Sequence, residues 1–242
     1  MLLPHNQRNQ LAALLDTTSP ADAPTAYYAL YHDPKRSTLF IKTDEQHKAI
    51  GFVGRFQTGV DLFRPVLVLR CTQAEVAADL LEEALIVGRP YLLFSSLDQL
   101  TLVGGSLAVN NERVFSIYAL DPAQFAPVVN VLVVQKTAPD GSPRAEIRSG
   151  DVQAVAGVNW QSPRFAEIYV STDPEVRQRG WGKSVVTACT ERILSSGRIP
   201  IYLVETSNEA SVALAQSVGY YDTGARQVFA DVVYMGHPAK GS

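Results

Sequence analysis

The chain has 242 residues, of which 46% are hydrophobic and 19% charged, with a formal net charge of −3. This composition is typical of a globular protein with one large or two modest domains, and it excludes disordered and fibrous classes. A slightly acidic chain without a stripe of Lys and Arg does not attract nucleic acid phosphates, so no nucleic acid partner is expected.

The N-terminal residues and the hydropathy pattern predict a cytoplasmic protein. The first residues lack a basic segment followed by an apolar one, and no run of about 18 apolar residues occurs. We therefore expect no contact with a membrane. Only Cys71 and Cys189 are present, and the four His residues are scattered, so we predict buried thiols and no metal site.

The N-terminal half begins with two predicted helices, around residues 4–15 and 22–31. Strands are predicted over 37–42 and 49–56, and the polar segment 43–47 between them reads as a hairpin loop.

The next segment has a strand, helix and strand pattern. An apolar run at 64–71 predicts a buried strand, and Thr72 with Glu75 has the spacing of a capping box at the start of a helix that Gly88 ends. Two further strands complete this half, at 90–95 and 113–120.

A break in the pattern separates the two halves. Asp121-Pro122 interrupts the strand pattern, and residues 121–127 are the predicted linker before an apolar run at 128–134. We predict two domains, 1–125 and 126–242. Both halves contain a strand, a helix and a strand in that order, which hints at an old duplication.

The C-terminal half predicts the order β-β-β-α-β-α-β. Such an order indicates a mixed sheet flanked by helices. The predicted strands are 145–147, 152–159, 165–172 and 200–205, and two short runs, 221–223 and 228–234, follow at the last strand position. The predicted helices are 182–196 and 209–218.

The loop after the third of these strands combines two glycines, three cationic side chains and the start of a helix. Its sequence is Arg177-Gln178-Arg179-Gly180-Trp181-Gly182-Lys183. Glycine lets backbone N–H groups approach phosphate oxygens, and the helix dipole favours an anion at this end. The loop predicts a diphosphate site, and the alternative is a glycine-containing turn with solvated arginines.

Two other phosphate motifs do not fit this loop. Gly182-Lys183-Ser184 imitates the end of a P-loop, but Arg177 stands where the first glycine belongs. A dinucleotide-binding fingerprint would need a third glycine where Val185 stands.

The loop and the strand before it resemble the GNAT superfamily of N-acetyltransferases, whose signature is Arg/Gln-x-x-Gly-x-Gly/Ala after a strand. The matching residues are Val170, Thr172, Pro174, Arg177, Gly180 and Gly182. Residues 208–220 resemble the family's second motif, Asn-x-x-Ala/Ser-x-x-Leu/Ala-x-x-x-x-Gly-Phe/Tyr. The resemblance implies an α/β fold with a mixed, mostly antiparallel sheet flanked by helices. We expect the N-terminal half, which has no such signature, to be a second, degenerate GNAT-like α/β domain.

The resemblance also implies that the C-terminal half binds acetyl-CoA. The strand would pair with the pantetheine arm, the loop would hold the pyrophosphate, and Asn208 would lie near the acyl end. Trp181 could pack on the cofactor or on its own domain, and Asn208 could equally be a helix N-cap. The implied cofactor-binding residues are Val170, Ser171, Thr172, Arg177, Gln178, Arg179, Gly180, Trp181, Gly182, Lys183, Asn208 and Ser211.

Acyl transfer to an amine needs a base, because an amine with a pKa of about 10.4 is protonated at neutral pH. Glu167 is the candidate, although it lies one residue out of register with the family's usual carboxylate. Many relatives protonate the departing thiolate with a Tyr seven residues after the motif Asn, and that position is Ala215 here. Tyr220, Tyr221 or water would have to substitute.

The resulting functional hypothesis is an N-acetyltransferase that moves an acetyl group from acetyl-CoA to a primary amine of a small molecule or peptide by direct attack. The absence of the usual Tyr keeps open a non-catalytic acyl-CoA-binding sensor. A third alternative is a dimeric scaffold that binds no CoA, and a homodimer is also left open for the enzyme.

Overall fold

The computed structural model describes residues 5–237, with only the backbone described for residues 5–7. The described chain forms two compact units: unit 1 contains residues 5–115 and 226–237, and unit 2 contains Ser116–Ala225. This division differs from the predicted ranges 1–125 and 126–242. The strands Leu107–Leu120 and Tyr220–Tyr234 each contribute residues to both units, and the end of the chain returns to unit 1.

The chain contains six α-helices and eleven β-strands within the described residues. In the N-terminal part these are α1 (His5–Leu11), α2 (Ala23–Ala26), β1 (Ser37–Thr43), β2 (Ala49–Phe56), β3 (Val66–Cys71), α3 (Ala74–Ala84), β4 (Pro90–Ser96), α4 (Leu100–Val103) and β5 (Leu107–Leu120). In the C-terminal part they are β6 (Val134–Thr137), β7 (Pro143–Ser149), β8 (Val152–Gln161), β9 (Phe165–Thr172), α5 (Trp181–Ser195), β10 (Ile199–Glu205), α6 (Glu209–Val218) and β11 (Tyr220–Tyr234).

Unit 1 is a mixed sheet with a hydrophobic core on each face. Strands β1, β2 and β3 are antiparallel, β4 runs parallel to β3, and β11 pairs antiparallel with β4 from Gln227 to Val233. One face packs on α3 through side chains such as Leu80 and Leu81, and the other packs on α1 and the helical segment that contains Ala26 and Ala29.

Unit 2 has a mostly antiparallel sheet with both of its helices on one face. Strands β6 to β9 form an antiparallel meander, and β10 runs parallel to β9. Residues 116–120 of β5 and 220–225 of β11 follow β10 in the strand order. The apolar residues of α5 and α6, such as Val185 and Val218, form one core with inward-facing strand residues such as Ile168. This arrangement confirms the expected fold class.

Several predicted local features differ from the structure. The predicted capping box at Thr72 is wrong. The Thr72 hydroxyl donates to the carbonyl of Ile50 on β2. Gln73 is the N-cap residue of α3, and its side chain makes no capping hydrogen bond. The two predicted C-terminal strands are one strand, β11. Gly224 has a φ of 81° within it, and its N–H is bound by the side chain of Asp222, so a local turn signal lies inside a continuous strand.

Candidate functional site

The structural centre of the candidate site is the place where β9 and β10 separate. These parallel strands pair only from Phe165–Ile168 to Ile199–Tyr202. Beyond Ile168, β9 continues to pair with β8 through Thr172, but within the described chain it has no paired strand on the β10 side. The edge of β9 from Tyr169 to Thr172 therefore offers backbone N–H and C=O groups to a ligand that lies as an extra strand.

The loop that follows β9 turns the chain into the N-terminus of α5. Gln178 and Gly180 both have left-handed backbone angles, with φ of 61° and 75°. Within residues 5–237 the N–H groups of Gln178, Arg179 and Gly180 have no hydrogen-bond acceptor. A side chain at Gly180 would meet no atom within 4 Å, so the turn is not filled by the protein itself. These features match a loop that holds an anion with its backbone.

Gly182 has a different role from Gly180. A Cβ atom placed on Gly182 would lie 3.2 Å from the Thr172 hydroxyl oxygen and 3.7 Å from Leu214. The missing side chain thus lets the first turn of α5 approach the end of β9 closely. The same closeness brings the loop and the open strand edge into one cleft.

A cleft of about 670 Å³ joins these elements. It contains two cations, Arg177 and Lys183, and no carboxylate lines it. Arg177 also donates from Nε to the carbonyl of Thr172 at 3.4 Å, which holds the side chain at the rim. The lining residues are Val170, Ser171, Thr172, Val176, Arg177, Gln178, Gly180, Gly182, Lys183, Asn208, Ala210, Ser211, Ala213, Leu214 and Ser217.

The first turn of α6 forms the opposite wall of this cleft. Asn208 is the N-cap of α6, and its side-chain oxygen accepts the N–H of Ser211 at 3.0 Å. Both residues also line the cleft, so the capping role and a role at the site are compatible.

Comparison with known proteins identifies the fold of this region. A family model described as FR47-like protein, a GNAT-related family, matches residues 147–229. A search of curated proteins finds no match for the chain. The C-terminal region therefore resembles the GNAT superfamily over residues 147–229.

Solved structures extend the similarity over most of the chain. A Drosophila protein is 12% identical, covering 96% of this chain and 97% of its own, with a TM-score of 0.68. A GCN5-related N-acetyltransferase from Sphaerobacter thermophilus is 10% identical, covering 97% and 95%, with a TM-score of 0.63. A tandem GNAT protein from the clavulanic acid biosynthesis pathway is 11% identical, covering 97% of both chains, with a TM-score of 0.60. These likenesses show the fold alone, which fits a two-domain GNAT-like arrangement.

The structure separates two predicted loop residues from the cleft of unit 2. The side chain of Arg179 is exposed and does not line the cleft, because Gln178 and Gly180 turn the backbone on either side of it. Trp181 is half-buried and packs against the core of unit 2. Of the two roles considered for Trp181, the structure shows packing on its own domain.

Glu167 lies on β9, on the face opposite to the two helices. Ala166, Ile168 and Val170 point into the helix-covered core, and side chains alternate along a strand. Burial raises the pKa of Glu167 to about 7, although hydrogen bonds from the side chains of Asn159 and Trp160 act in the opposite direction. The carboxylate accepts from Asn159 Nδ2 at 2.6 Å and does not line the cleft.

The structure does not bring the two candidate tyrosines to the cleft. Tyr220 is buried, its hydroxyl lies 2.7 Å from that of Thr190, and burial raises its pKa far above the usual range. It fills the core because β11 begins directly after α6 and points this residue under the helices. Tyr221, on the opposite face, is exposed and lies outside the cleft lining.

Tyr202 is a site residue that the sequence did not single out. It is the last residue of β10 that pairs with β9, so it lies where the strands begin to separate. Its hydroxyl is hydrogen bonded to the side chain of Ser211, which lines the cleft, and burial raises its pKa. No local motif contains this pair, because the two residues meet only when α6 packs on β10.

Unit 1 repeats the strand, helix and strand order, but within residues 5–237 its first strand ends differently from β9. Strands β3 and β4 pair in parallel at Val66 and Leu67. At the end of β3, the N–H of Cys71 is bound by the side-chain oxygen of Gln99 at 2.7 Å. Only Thr72 and Gln73 connect β3 to α3, so no glycine-bearing loop is present. A side chain thus closes the strand edge that unit 2 leaves open.

The remaining features concern cysteines, metals and membranes. Cys71 and Cys189 are both buried and free, as predicted. Within residues 5–237, no cluster of His, Cys, Asp and Glu has the geometry of a metal site. No helix in the same part of the chain is long and apolar enough to span a membrane.

Proposed function

We propose that unit 2 transfers an acetyl group from acetyl-CoA to a primary amine of a small molecule or peptide. The observation that carries this proposal is the combination of an open β9 edge with an unfilled glycine turn at the start of α5 in one cleft. An elongated ligand with amide groups in its middle and a diphosphate at one end fits both features.

Charge supports the same ligand. Arg177 and Lys183 line the cleft and no carboxylate does, so the cleft favours an anion. Helix α5 adds the partial positive charge of its N-terminus. The chain supplies these groups for binding and orientation, while the thioester of acetyl-CoA supplies the activated acyl group.

Glu167 is the proposed general base. It lies one residue before the last β9 and β10 pair, at the base of the gap between the separating strands. We place the acceptor amine in that gap, on the face of the sheet that Glu167 occupies. A carboxyl with a pKa of about 7 is ionised often enough at neutral pH to take a proton from an ammonium group, directly or through one water.

The proposed proton donor to the departing thiolate is the Ser211 hydroxyl, with Tyr202 as the residue that positions it. Ala215 is fully buried and has no hydroxyl, so the usual position in α6 contributes no acid. The Tyr202 hydroxyl remains protonated because its pKa is raised by burial, and it contacts Ser211 at the inner end of the cleft. Tyr202 therefore holds the Ser211 hydroxyl in place, and the proton that Ser211 gives to the thiolate is replaced from water, because Ser211 lines the open cleft.

Two measurements on the purified protein test the proposed function. Calorimetry should show binding of acetyl-CoA and CoA with a stoichiometry of one per chain, since within residues 5–237 an open edge between separating parallel strands meets a glycine turn only in the cleft of unit 2. A thiol-release assay with acetyl-CoA should show turnover with at least one member of a panel of small amines, amino acids and peptides.

The outcomes of these measurements separate the hypotheses. Binding without thiol release from any amine would refute the enzyme and support an acyl-CoA sensor. Absence of CoA binding would refute both and leave the scaffold.

A further inference from the structure

One loop of unit 1 presents large apolar side chains to solvent. In the loop between β2 and β3, the exposed fractions of Val60, Leu62 and Phe63 are 74%, 80% and 85%. In the neighbouring loop after α3, Ile86 and Val87 are also exposed. We call these five residues the apolar tip. The two loops are adjacent, because Leu92 at the start of β4 donates to the carbonyl of Pro65 at the start of β3.

The backbone of the apolar tip is held in place by polar contacts. Asp61 accepts the N–H groups of Phe63 and Arg64, and the Arg64 side chain forms ion pairs with Asp61 and with Asp231 on β11. The hydrogen bond from the Arg64 side chain is the main reason that the pKa of Asp61 falls to about 2, so this network stays charged at neutral pH. Leu62 and Phe63 are therefore displayed outward by a fixed loop.

A cationic cleft of about 420 Å³ adjoins the apolar tip. Its four cations are Lys35, Arg36, Arg55 and Arg89, and no carboxylate lines it. Within residues 5–237 none of these four side chains forms an ion pair. Asp33, the nearest acidic residue in sequence, accepts the backbone N–H of Lys35 instead.

The cleft and the apolar tip are parts of one surface. Pro65, which ends the first apolar loop, lines the cleft, and so does Arg89, which follows the second. Arg36 Nη2 lies 3.9 Å from the Cβ position of Gly59, in the same loop as Val60. Arg55 and Arg89 lie over the rings of Phe40 and Tyr91, which hold the two guanidinium groups toward the cleft.

We infer that this surface docks unit 1 onto an anionic lipid bilayer, with the apolar tip in the outer acyl region and the four cations against lipid phosphates. Peripheral docking needs no spanning segment, since apolar burial and attraction to anionic headgroups add together. The charge arrangement is local, because the chain as a whole has a net charge of −3.

The same features disfavour two other occupants of this surface, a second copy of the chain and a rigid protein partner. A second copy joined about a two-fold axis would place the four unpaired cations near their own equivalents. A rigid protein would need a preformed apolar pocket to receive a tip that protrudes this far, whereas a fluid acyl layer accepts it without one. Charge complementarity therefore favours an anionic membrane as the occupant of this surface.

Vesicle co-sedimentation of the full-length protein tests this inference. One set of vesicles contains phosphatidylcholine alone, and the other adds about 30% phosphatidylserine. We expect binding to the phosphatidylserine vesicles only, and its loss at about 0.5 M salt, where charges are screened over a few ångströms. Leu62→Ser with Phe63→Ser should lower the partition coefficient at least about tenfold. Arg55→Gln and Arg89→Gln should each lower it about fivefold.

Matched variants control for loss of folding and for general changes in surface character. Val129→Ser with Val131→Ser changes another exposed apolar pair, in unit 2, and Lys48→Gln removes an exposed cation outside the cleft. Both should bind vesicles as the unchanged protein does, and thermal unfolding of every variant should be cooperative.

Three results would overturn the inference. The first is no sedimentation of the unchanged protein with phosphatidylserine vesicles. The second is equal loss in the control variants. The third is a dimer in solution that Phe63→Ser converts to monomer without any vesicle binding, which would make the surface a self-association interface. None of these measurements involves acyl transfer, so they stand apart from the proposed function.

Discussion

Glu167 links the chemistry of the site to the stability of the fold. Burial raises its pKa from 4.5 to about 7, so between these values the folded state holds a proton that the unfolded state releases. The stabilisation from this proton is complete below the unfolded pKa and is lost as the pH rises through the folded pKa. We therefore expect the free energy of unfolding to fall between these two values.

Glu167→Gln separates the two effects of this carboxyl. The variant cannot ionise, so its free energy of unfolding at about pH 8 should exceed that of the unchanged protein by about 1–3 kcal/mol, with no difference near pH 4. If Glu167 is the base, kcat should fall about 100-fold and lose its rise near neutral pH. Urea unfolding and pH–rate profiles measure these effects. An unchanged pH dependence of stability would contradict the burial argument, and an unchanged kcat would contradict the role as base.

Tyr202 and Tyr220, two of the buried tyrosines of unit 2, provide a matched test of the proposed proton donor. Tyr202→Phe and Ser211→Ala should each lower kcat about tenfold or more, with little change in the KM for acetyl-CoA. Tyr220→Phe removes a hydroxyl that contacts only Thr190 in the core, so it should cost about 1 kcal/mol of stability and leave kcat unchanged. Steady-state kinetics with acetyl-CoA as the varied substrate makes the comparison. Equal kcat in the Tyr202 and Tyr220 variants would exclude the proposed role of Tyr202 in positioning Ser211.

Among the secondary-structure elements, helix α5 has a similar glycine at each end, but only its N-terminal end lies at the proposed CoA site. Gly180 precedes the helix and Gly197 follows it, with φ of 75° and 78°, and a Cβ atom added to either glycine would meet no atom within 4 Å. The two glycines are therefore alike in backbone conformation and free space. They differ only in that Gly180 lies at the positive end of the helix, in the cleft.

Gly180→Ala and Gly197→Ala should thus have similar effects on stability and different effects on binding. Each places a Cβ atom in a left-handed conformation, at about 1 kcal/mol. Only Gly180→Ala puts a methyl group where a diphosphate would lie, so it should weaken CoA binding about tenfold or more, as measured by calorimetry. A similar loss of affinity in both variants would show that the loop acts through stability and does not hold the ligand.

Within the described residues, unit 1 lacks the two features that form the proposed CoA site of unit 2. Its strand, helix and strand repeat keeps the parallel pair of β3 and β4 but lacks the glycine loop, and Gln99 occupies the strand edge. The two halves therefore share the strand, helix and strand order that hinted at a duplication, but they do not share the cleft.

At the scale of the whole molecule, the chain interleaves the two units. Residues 116–120 of β5 belong to unit 2, where Tyr118 and Leu120 are buried in its core, and the last part of β11 belongs to unit 1. A cut at the predicted boundary of 125/126 would remove both of these core side chains from unit 2. Their absence should cost about 2–5 kcal/mol each, which is a large share of a typical domain's stability of about 5–15 kcal/mol.

We therefore expect a fragment of residues 126–242 to lack a cooperative unfolding transition. A fragment of residues 116–225 retains the whole core of unit 2, so it should unfold cooperatively. Circular dichroism during urea titration of the two fragments tests this expectation. A stable fragment of residues 126–242 would show that the core contribution of β5 is dispensable.

Features that short stretches of chain encode could be predicted before the fold was known. The glycine loop, the N-cap at Asn208 and the strands and helices of the C-terminal half depend on neighbouring residues, so their spacing predicted them. The same local patterns predicted the strand, helix and strand repeat in both halves.

Contacts between distant residues could not be predicted in the same way, because they depend on how the chain folds. The burial of Glu167, the contact of Tyr202 with Ser211, the closure of β3 by Gln99 and the sharing of β5 and β11 between the units all join segments far apart in the chain. Pairing between strands and packing of helices on them set these contacts, and no single segment carries the information for both partners.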